Sequence, residues 1–295
     1  MPAQKKTIRE AVESAAHLLE QEGVFFGHGT DNAQDEALSL ILYVLGLDYT
    51  ITDSALDAPL SSGELAKINE IIQQRNKLRK PAPYLTNRTW FMGLEFYVDE
   101  RVLVPRSPIA ELIYAKYQPW LKLKSSLSVL DLCTGGGCIA IASAFALKQA
   151  QVTASDISAD ALQVCEKNIQ QHNMQNRVEA IQSDLFSALK GRKFDLIVSN
   201  PPYVPLSARQ QLPEEYLHEP DIGLYSGTSG LDIPLEILRQ APEFLTESGV
   251  LVLEVGESQQ RLSKAVPEIP LIWLEFEYGG EGVAVISKQE LDRLT

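Results

Sequence analysis

Residues 200–203 read Asn-Pro-Pro-Tyr and directly follow the apolar run Phe194-Asp195-Leu196-Ile197-Val198-Ser199. Neither proline carries an N–H, so Pro201 and Pro202 cannot extend a sheet ladder. The string therefore reads as a stiff loop with free carbonyls at the end of a buried strand, the edge at which open α/β sheets take ligands. The Asn200 amide, the fixed carbonyl acceptors and the Tyr203 ring together suit a planar –NH2 group. The bland reading of the same string is a rigid turn that happens to carry Asn and Tyr.

A second group of residues has the same placement. Ser128-Val129-Leu130-Asp131-Leu132 runs into Cys133-Thr134-Gly135-Gly136-Gly137 and then into an apolar helix from Cys138. Glycines there let the backbone approach a ligand and turn tightly into a helix, whose first N–H groups are unpaired. No Gly-Lys-Ser or Gly-Lys-Thr follows, which excludes a phosphate-binding P-loop. Asp131 ends the first strand and Asp156 the second, in Val152-Thr153-Ala154-Ser155-Asp156. Asp156 there suits the two hydroxyls of a ribose. Asp184 ends the third, in Ala180-Ile181-Gln182-Ser183-Asp184-Leu185, within reach of an adenine amino group, and Asn200 ends the fourth. Each aspartate taken singly is as good a helix cap as a ligand contact, and Ser158 competes with Asp156 as a cap. Taken together, four successive strand ends deliver a polar group to one edge, and that favours a site.

The elements that must position these groups follow from periodicity. Strands are predicted at 127–132, 151–155, 177–182, 194–199, 249–254, 271–277 and 282–287, and helices at 137–148, 158–172, 231–244 and 258–265. The alternation implies a mostly parallel sheet covered on both faces. The turn Tyr278-Gly279-Gly280-Glu281-Gly282 is too short for a crossover and makes the last two strands antiparallel. Upstream, apolar residues recur at helical spacing from Ile8 to Leu19 and from Ala37 to Leu45. A third helix, capped by Ser61 or Ser62, carries Leu65 to Leu78 and stops at Pro81 and Pro83. Leu94, Phe96 and Val98 alternate with polar residues and, with Val102-Leu103-Val104, read as a hairpin. Ser107 caps, and Pro108 opens, a further helix. Residues 203–230 form a long loop, a length usually associated with function. The expected organisation is a helical domain at 1–84, a hairpin linker at 85–105 and the sheet domain at 106–295.

These motifs resemble those of the class I S-adenosylmethionine-dependent methyltransferases, from about Leu127 to the C-terminus. Within that class Asn-Pro-Pro-Tyr marks methylation of a planar amino group, either adenine N6 or a glutamine amide. The helical N-terminal part, the hairpin and Val102-Leu103-Val104-Pro105-Arg106 look like those of the protein glutamine N5-methyltransferases acting on translation proteins. The string Pro105-Arg106-Ser107-Pro108-Ile109-Ala110-Glu111 is similar to the branch acting on large-subunit ribosomal protein three; the release-factor branch carries Pro-Arg-Pro-Asp-Thr-Glu. The resemblance implies a Rossmann-like sheet of seven mostly parallel strands with S-adenosylmethionine as cofactor. It implies a catalytic set of Asn200, Pro201, Pro202 and Tyr203, in which Asn200 and the Pro201 carbonyl accept the two amide N–H groups and Tyr203 packs on the amide plane. The implied cofactor set is Asp131, Cys133, Thr134, Gly135, Gly136, Gly137, Asp156, Asp184, Leu185 and Asn200, with no metal. The chain departs from the family twice. Cys133 replaces the first glycine, which makes a positive φ costlier there, and Leu185 stands where release-factor enzymes carry Trp. The helical domain is expected, by resemblance, to recognise the protein partner.

Composition narrows the alternatives. The 295-residue chain is 45% hydrophobic and 22% charged, with a net charge of −13. That charge opposes binding to free duplex DNA, whose phosphates call for Lys and Arg, and favours a basic partner protein; the partner that the resemblance implies is a ribosomal protein, free or within a ribosome assembly intermediate. No apolar run is long enough to span a bilayer and no signal core precedes residue 10, so a cytoplasmic location without membrane association is expected. Cys133, Cys138 and Cys165 form no metal or disulfide pattern, and His17, His28, His172 and His218 have no ligand spacing. The basic string Arg75, Lys77, Arg79 and Lys80 reads as a helix C-terminus complementing the dipole, or as an RNA or partner contact. His28, between Gly27 and Gly29, reads as a loop residue, and His218 as a surface residue. Besides ribosomal protein three, three readings stay open: a release-factor substrate, an adenine N6-methyltransferase, and a non-enzymatic factor masking a basic ribosomal protein.

Overall fold

A computed structural model describes residues 5–294; residues 1–4 and 295 lie outside it. The chain forms two compact units: Met1–Thr89 together with Pro213–His218, and Trp90–Leu212 together with Glu219–Thr295.

The first unit is helical. Helix α1 (Ile8–Gln21) opens on a reciprocal capping box between Thr7 and Glu10, and α2 (Ala33–Leu45) opens on an Asn32 cap and ends at left-handed Gly46. Helix α3 (Ser62–Leu78) repeats the capping box with Ser61 and Glu64. Each such cap satisfies N–H groups that the helix cannot, and contributes about 1 kcal/mol. Ile8, Val12, Leu19, Leu40, Ile41, Ile68 and Ile72 close into one core. The prolines expected only to stop α3 also start a short helix, α4 (Ala82–Thr86), because Pro83 falls in its first turn, where a missing N–H costs nothing.

Arg75 and Lys77 do stand in the last turn of α3, as the helix C-terminus reading expects, but the two arginines of the string are drawn into the fold while Lys77 stays exposed. Arg75 is fully buried: its Nε donates to Glu36 Oε1 at 2.7 Å, its Nη1 to Glu215 Oε1 at 3.1 Å and its Nη2 to the Phe25 carbonyl at 2.8 Å. Arg79, in the left-handed conformation past the helix end, donates to the Glu22 carbonyl at 2.6 Å and lies 3.8 Å from Glu215. Two arginines therefore balance two buried carboxylates, and burial still raises the Glu36 carboxyl above its ordinary range. His28 is likewise buried, edge-on to Tyr216 at 4.8 Å, and His218 Nε2 donates to the Leu78 carbonyl at 2.6 Å.

The hairpin forms with a different partner from the one expected. Strand β1 (Arg88–Phe91) pairs with β2 (Leu94–Tyr97) across Met92-Gly93, both of which have positive φ. Two such residues suit a two-residue hairpin turn, whose twist matches the strands. Val102–Val104 instead bends at Asp99, and the Val104 N–H is taken by the Glu219 carboxylate at 3.0 Å, so that stretch has no strand to join. Helix α5 (Ile109–Tyr114) follows; the Ile109 N–H donates to the Ser107 hydroxyl at 3.2 Å.

The remainder alternates as expected: β3 (Leu127–Leu132), α6 (Cys138–Ala146), β4 (Ala150–Asp156), α7 (Ala159–Gln171), β5 (Val178–Gln182), β6 (Phe194–Ser199), α8 (Asp221–Leu224), α9 (Asp232–Phe244), β7 (Leu245–Glu254), α10 (Gln259–Ala265), β8 (Ile272–Trp273), β9 (Val283–Ser287) and α11 (Lys288–Leu291). The seven strands lie in the order β5-β4-β3-β6-β7-β9-β8, parallel through β7 and antiparallel at β9 and β8. Strand β8 is shorter than the predicted 271–277, because Glu111 takes the N–H groups of Glu277 and Tyr278 and holds that stretch off the ladder. Val129 and Leu130 on β3 point into separate cores on opposite faces, as a sheet covered on both sides requires. Successive connections leave β3 toward β4 on one side and β6 on the other. The crevice between the ends of β3 and β6 is thus the switch point of the sheet.

Candidate active site

Asp131, near the end of β3, is 1% exposed. Its Oδ2 accepts the Thr134 hydroxyl at 2.5 Å and the Ala140 N–H at 2.9 Å, while its Oδ1 is buried with no hydrogen-bond partner among the described residues. Burial pushes the carboxyl up to about 7, against the pull of those two bonds. The turn that follows is tightly built. Cys133 has φ +63, a conformation that costs a non-glycine residue about 1–2 kcal/mol. Desolvation pushes its thiol well above the ordinary range, so it is no nucleophile. Gly137 has φ +81, and a Cβ there would sit 2.6 Å from Cys165 Sγ, so only glycine lets α6 start against α7. Asn168 of α7 fixes the loop from behind, donating to the Gly136 carbonyl at 2.8 Å and exchanging two bonds with Tyr97 of β2.

Asp156 at the end of β4 does not cap α7; Ser158 does, through the Ala161 N–H. The Asp156 carboxylate instead accepts from Gly135 N–H and Ser158 N–H, each at 2.9 Å, and ties the glycine turn to β4. Burial raises its pKa in spite of these bonds. Asp184 is exposed beyond β5, and Leu185 is strained at φ +43, its carbonyl held by the Ser183 hydroxyl at 2.6 Å.

Asn200 leaves β6 at the switch point. Among the described residues nothing donates to the Pro201 carbonyl, which is left as a rigid acceptor beside the Asn200 amide. The Tyr203 carbonyl accepts the Ser258 hydroxyl at 2.9 Å, and the Tyr203 hydroxyl reaches Glu254 Oε1 at 3.4 Å. Gly256 lies under the ring, where a Cβ would be 2.9 Å from Tyr203 Cε2. The structure thus brings Asp131, the 133–137 turn, Asp156, Asp184, Leu185 and the 200–203 segment to one edge of the sheet. Among the described residues no cluster of His, Cys, Asp and Glu could hold a metal, and no helix is long and apolar enough to cross a membrane.

Residues 119–221 match the methyltransferase small domain family model. The ribosomal protein uL3 glutamine methyltransferases of Francisella tularensis subsp. tularensis and Neisseria gonorrhoeae are each 44% identical to this chain over 97% of its length, which spans 91% and 95% of theirs. The chain belongs to the ribosomal protein uL3 glutamine methyltransferase family. A solved structure of the hMettl16 catalytic domain in complex with a MAT2A 3′UTR hairpin shares the fold, with a TM-score of 0.54 at 14% identity, over 81% of this chain and 87% of that one. The mostly parallel seven-stranded sheet is thus that of the class I methyltransferases.

Within this family fold, two further features stand beside the predicted residues. Glu254, at the end of β7 and 3% exposed, accepts the Ser107 hydroxyl at 2.5 Å and the Tyr203 hydroxyl at 3.4 Å; burial pushes it up to about 7. Arg106 grips Glu219 with both Nη atoms, at 2.6 and 2.5 Å, which anchors the loop after Tyr203 to the segment before α5. Glu254 carries the signal used for the other sites, a charged residue closing an apolar run, and is legible on that basis.

The Asp131 carboxyl has a testable cost. It holds its proton more tightly folded than unfolded. Stability from this group is therefore lost as pH rises from about 4 to 7, at about 1.4 kcal/mol for each pH unit by which folding raises the pKa. Asp131→Asn removes this dependence. In calorimetry of the ligand-free protein, the melting temperature of the variant relative to the unsubstituted protein is expected to rise between pH 5 and pH 8; a constant difference would show that Asp131 does not titrate in that range.

Proposed function

We propose that the protein methylates the side-chain amide nitrogen of a glutamine in ribosomal protein uL3, with S-adenosylmethionine as donor. The observation that carries this reading is the Asn200-Pro201-Pro202-Tyr203 segment leaving β6 at the switch point, in a chain 44% identical to enzymes named for that reaction.

The residues at the sheet edge fit the cofactor. The unpartnered, buried Asp131 Oδ1 calls for a donor such as the ammonium of an amino-acid moiety, and Gly135 leaves open space where a Cβ would be. Asp131 and the turn Cys133, Thr134, Gly135, Gly136 and Gly137 would hold that moiety, Asp156 the ribose hydroxyls, and Asp184 with Leu185 the adenine. When bound, S-adenosylmethionine supplies a methyl group on a positively charged sulfur.

The chain must make a weak nucleophile attack. An amide nitrogen shares its lone pair with the carbonyl, a resonance whose rotation barrier is about 18–20 kcal/mol. Asn200 Oδ1 and the Pro201 carbonyl accept the two amide N–H bonds, turn the nitrogen lone pair toward the methyl group and stabilise the positive charge that develops there. Pro201 and Pro202 hold the carbonyl direction, and Tyr203 covers the amide plane. Holding both reactants in line supplies much of the remaining rate. No dedicated base is required, since the methylated nitrogen loses its proton readily. The net charge of −13 draws a basic ribosomal protein, free in the cytoplasm or in an assembly intermediate, and the helical unit presents its surface to that partner.

Transfer of labelled methyl into purified uL3 and into a peptide release factor tests this, with products mapped by mass spectrometry. Label on a glutamine of uL3 alone is the expected result. Label on the release factor overturns the substrate, and label only on nucleic acid overturns the reaction.

A further inference from the structure

We infer that Glu254 is a positioning residue that sets the orientation of the Asn200 amide, taking its NH2 group and thereby presenting its oxygen to the substrate. This inference rests on the role given to Asn200 above.

An asparagine amide has two ends of nearly the same shape and opposite hydrogen-bonding sense. The reaction needs the oxygen end toward the glutamine N–H, so something behind Asn200 must prefer the nitrogen end. Sheet register places that group. Ser199 of β6 pairs in parallel with Leu253 of β7, so the next residues, Asn200 and Glu254, emerge side by side at the same edge. The two residues thus stand next to each other, with the Asn200 amide within reach of the Glu254 carboxylate. When ionised, that carboxylate only accepts, so in this form it takes the NH2 and not the oxygen.

The rest of the shell works against the burial that raises the Glu254 carboxyl and favours its accepting form. The Ser107 hydroxyl oxygen accepts from the Ile109 N–H at 3.2 Å, so its single proton is left for Glu254 Oε2 at 2.5 Å. The Tyr203 hydroxyl donates to Oε1 at 3.4 Å, and the charge of Arg106, itself anchored on Glu219, favours the ionised form. Two hydroxyl donors thus converge on one buried carboxylate beside the Asn200 amide. Neither of them is needed to pack the strand, because Val252 and Leu253 already bury both faces beside it. The same network accounts for Ser107, which stands where the release-factor branch carries proline.

The test compares Glu254→Gln and Glu254→Asp, alone and combined with Asn200→Ala, by single-turnover and steady-state kinetics on uL3. Glutamine matches the size but adds a donor; aspartate shortens the chain but still only accepts. Glu254→Gln is expected to lower kcat by about 10–100-fold, a range seen for groups that orient a reacting side chain. KM for uL3 and affinity for S-adenosylhomocysteine should stay within about threefold, a small change beside that loss. Glu254→Asp should retain more activity than Glu254→Gln, whereas a packing role predicts the reverse order. In the Asn200→Ala background, Glu254→Gln should change the rate by less than about twofold, since the partner it acts on is gone. Independently of turnover, hydrogen exchange of the Asn200 side-chain NH2, followed by NMR, should be faster in Glu254→Gln. Equal losses in both backgrounds, or glutamine outperforming aspartate, overturn the inference and leave the proposed function standing. A normal rate for Asn200→Ala alone would overturn the proposed function instead.

Discussion

Asn200→Ala is expected to slow methyl transfer in a single turnover by about 10²–10³-fold, the loss typical when one group aimed at developing charge is removed. The Pro201 carbonyl remains, so one of the two substrate N–H bonds keeps its acceptor and the other faces a space the side chain once filled. The fold should be unaffected, because the strand before it, Leu196-Ile197-Val198-Ser199, is held by ladders on both sides and by the Ser199 hydroxyl on the Leu132 carbonyl at 2.7 Å. Binding of uL3 should change little, since most of the contact with a protein substrate lies outside this amide. A rate within about tenfold of the unsubstituted protein, or about 1.4 kcal/mol, would remove Asn200 from the chemistry.

The second large effect is on stability. Arg75→Met leaves Glu36 and Glu215 buried without their main counter-charge, and breaking a buried pair from one side costs about 3–5 kcal/mol. Denaturant titration of the full chain measures this. The cost should shrink as pH falls from 8 to 5. Burial already raises the Glu36 carboxyl while Arg75 lowers it, so removing Arg75 raises it further. A group whose folded pKa is raised contributes stability that is lost as pH rises through that pKa, and protonation on its acid side relieves the uncompensated charge. A cost independent of pH would mean that lost packing, rather than charge, dominates.

The sequence carries the sheet well and the helical unit's interior poorly, for different physical reasons. Asp131, Asp156, Asp184 and Asn200 are legible because each closes an apolar run, a signal contained within six or seven residues. Glu254 closes the apolar run of β7 in the same way. Arg75 is easily misread because its neighbours Lys77, Arg79 and Lys80 suggest a charged surface, while the carboxylates that bury it lie 39 and 140 residues away. Only tertiary structure brings them together. The hairpin is misplaced from sequence because Met92, at φ +52, is not a residue that announces a turn, and the alternation at Leu94, Phe96 and Val98 points downstream. Cys133 adopts a left-handed backbone that glycine would adopt at less cost.

The short segment Pro213–His218 belongs to the helical unit, although more than a hundred residues of the other unit are threaded between it and Thr89. That has a consequence for synthesis. At about 5–20 residues per second, the helical unit waits on the order of ten seconds after its last helix is made before Glu215 exists to meet Arg75. Until then it is a chain with an incomplete charge cluster, and a fragment ending near residue 89 would stay in that condition permanently. The helical unit is the first to be begun, yet its charge cluster is closed only after more than a hundred residues of the other unit have been made, so a fragment meant to carry this unit needs residues 213–218 as well.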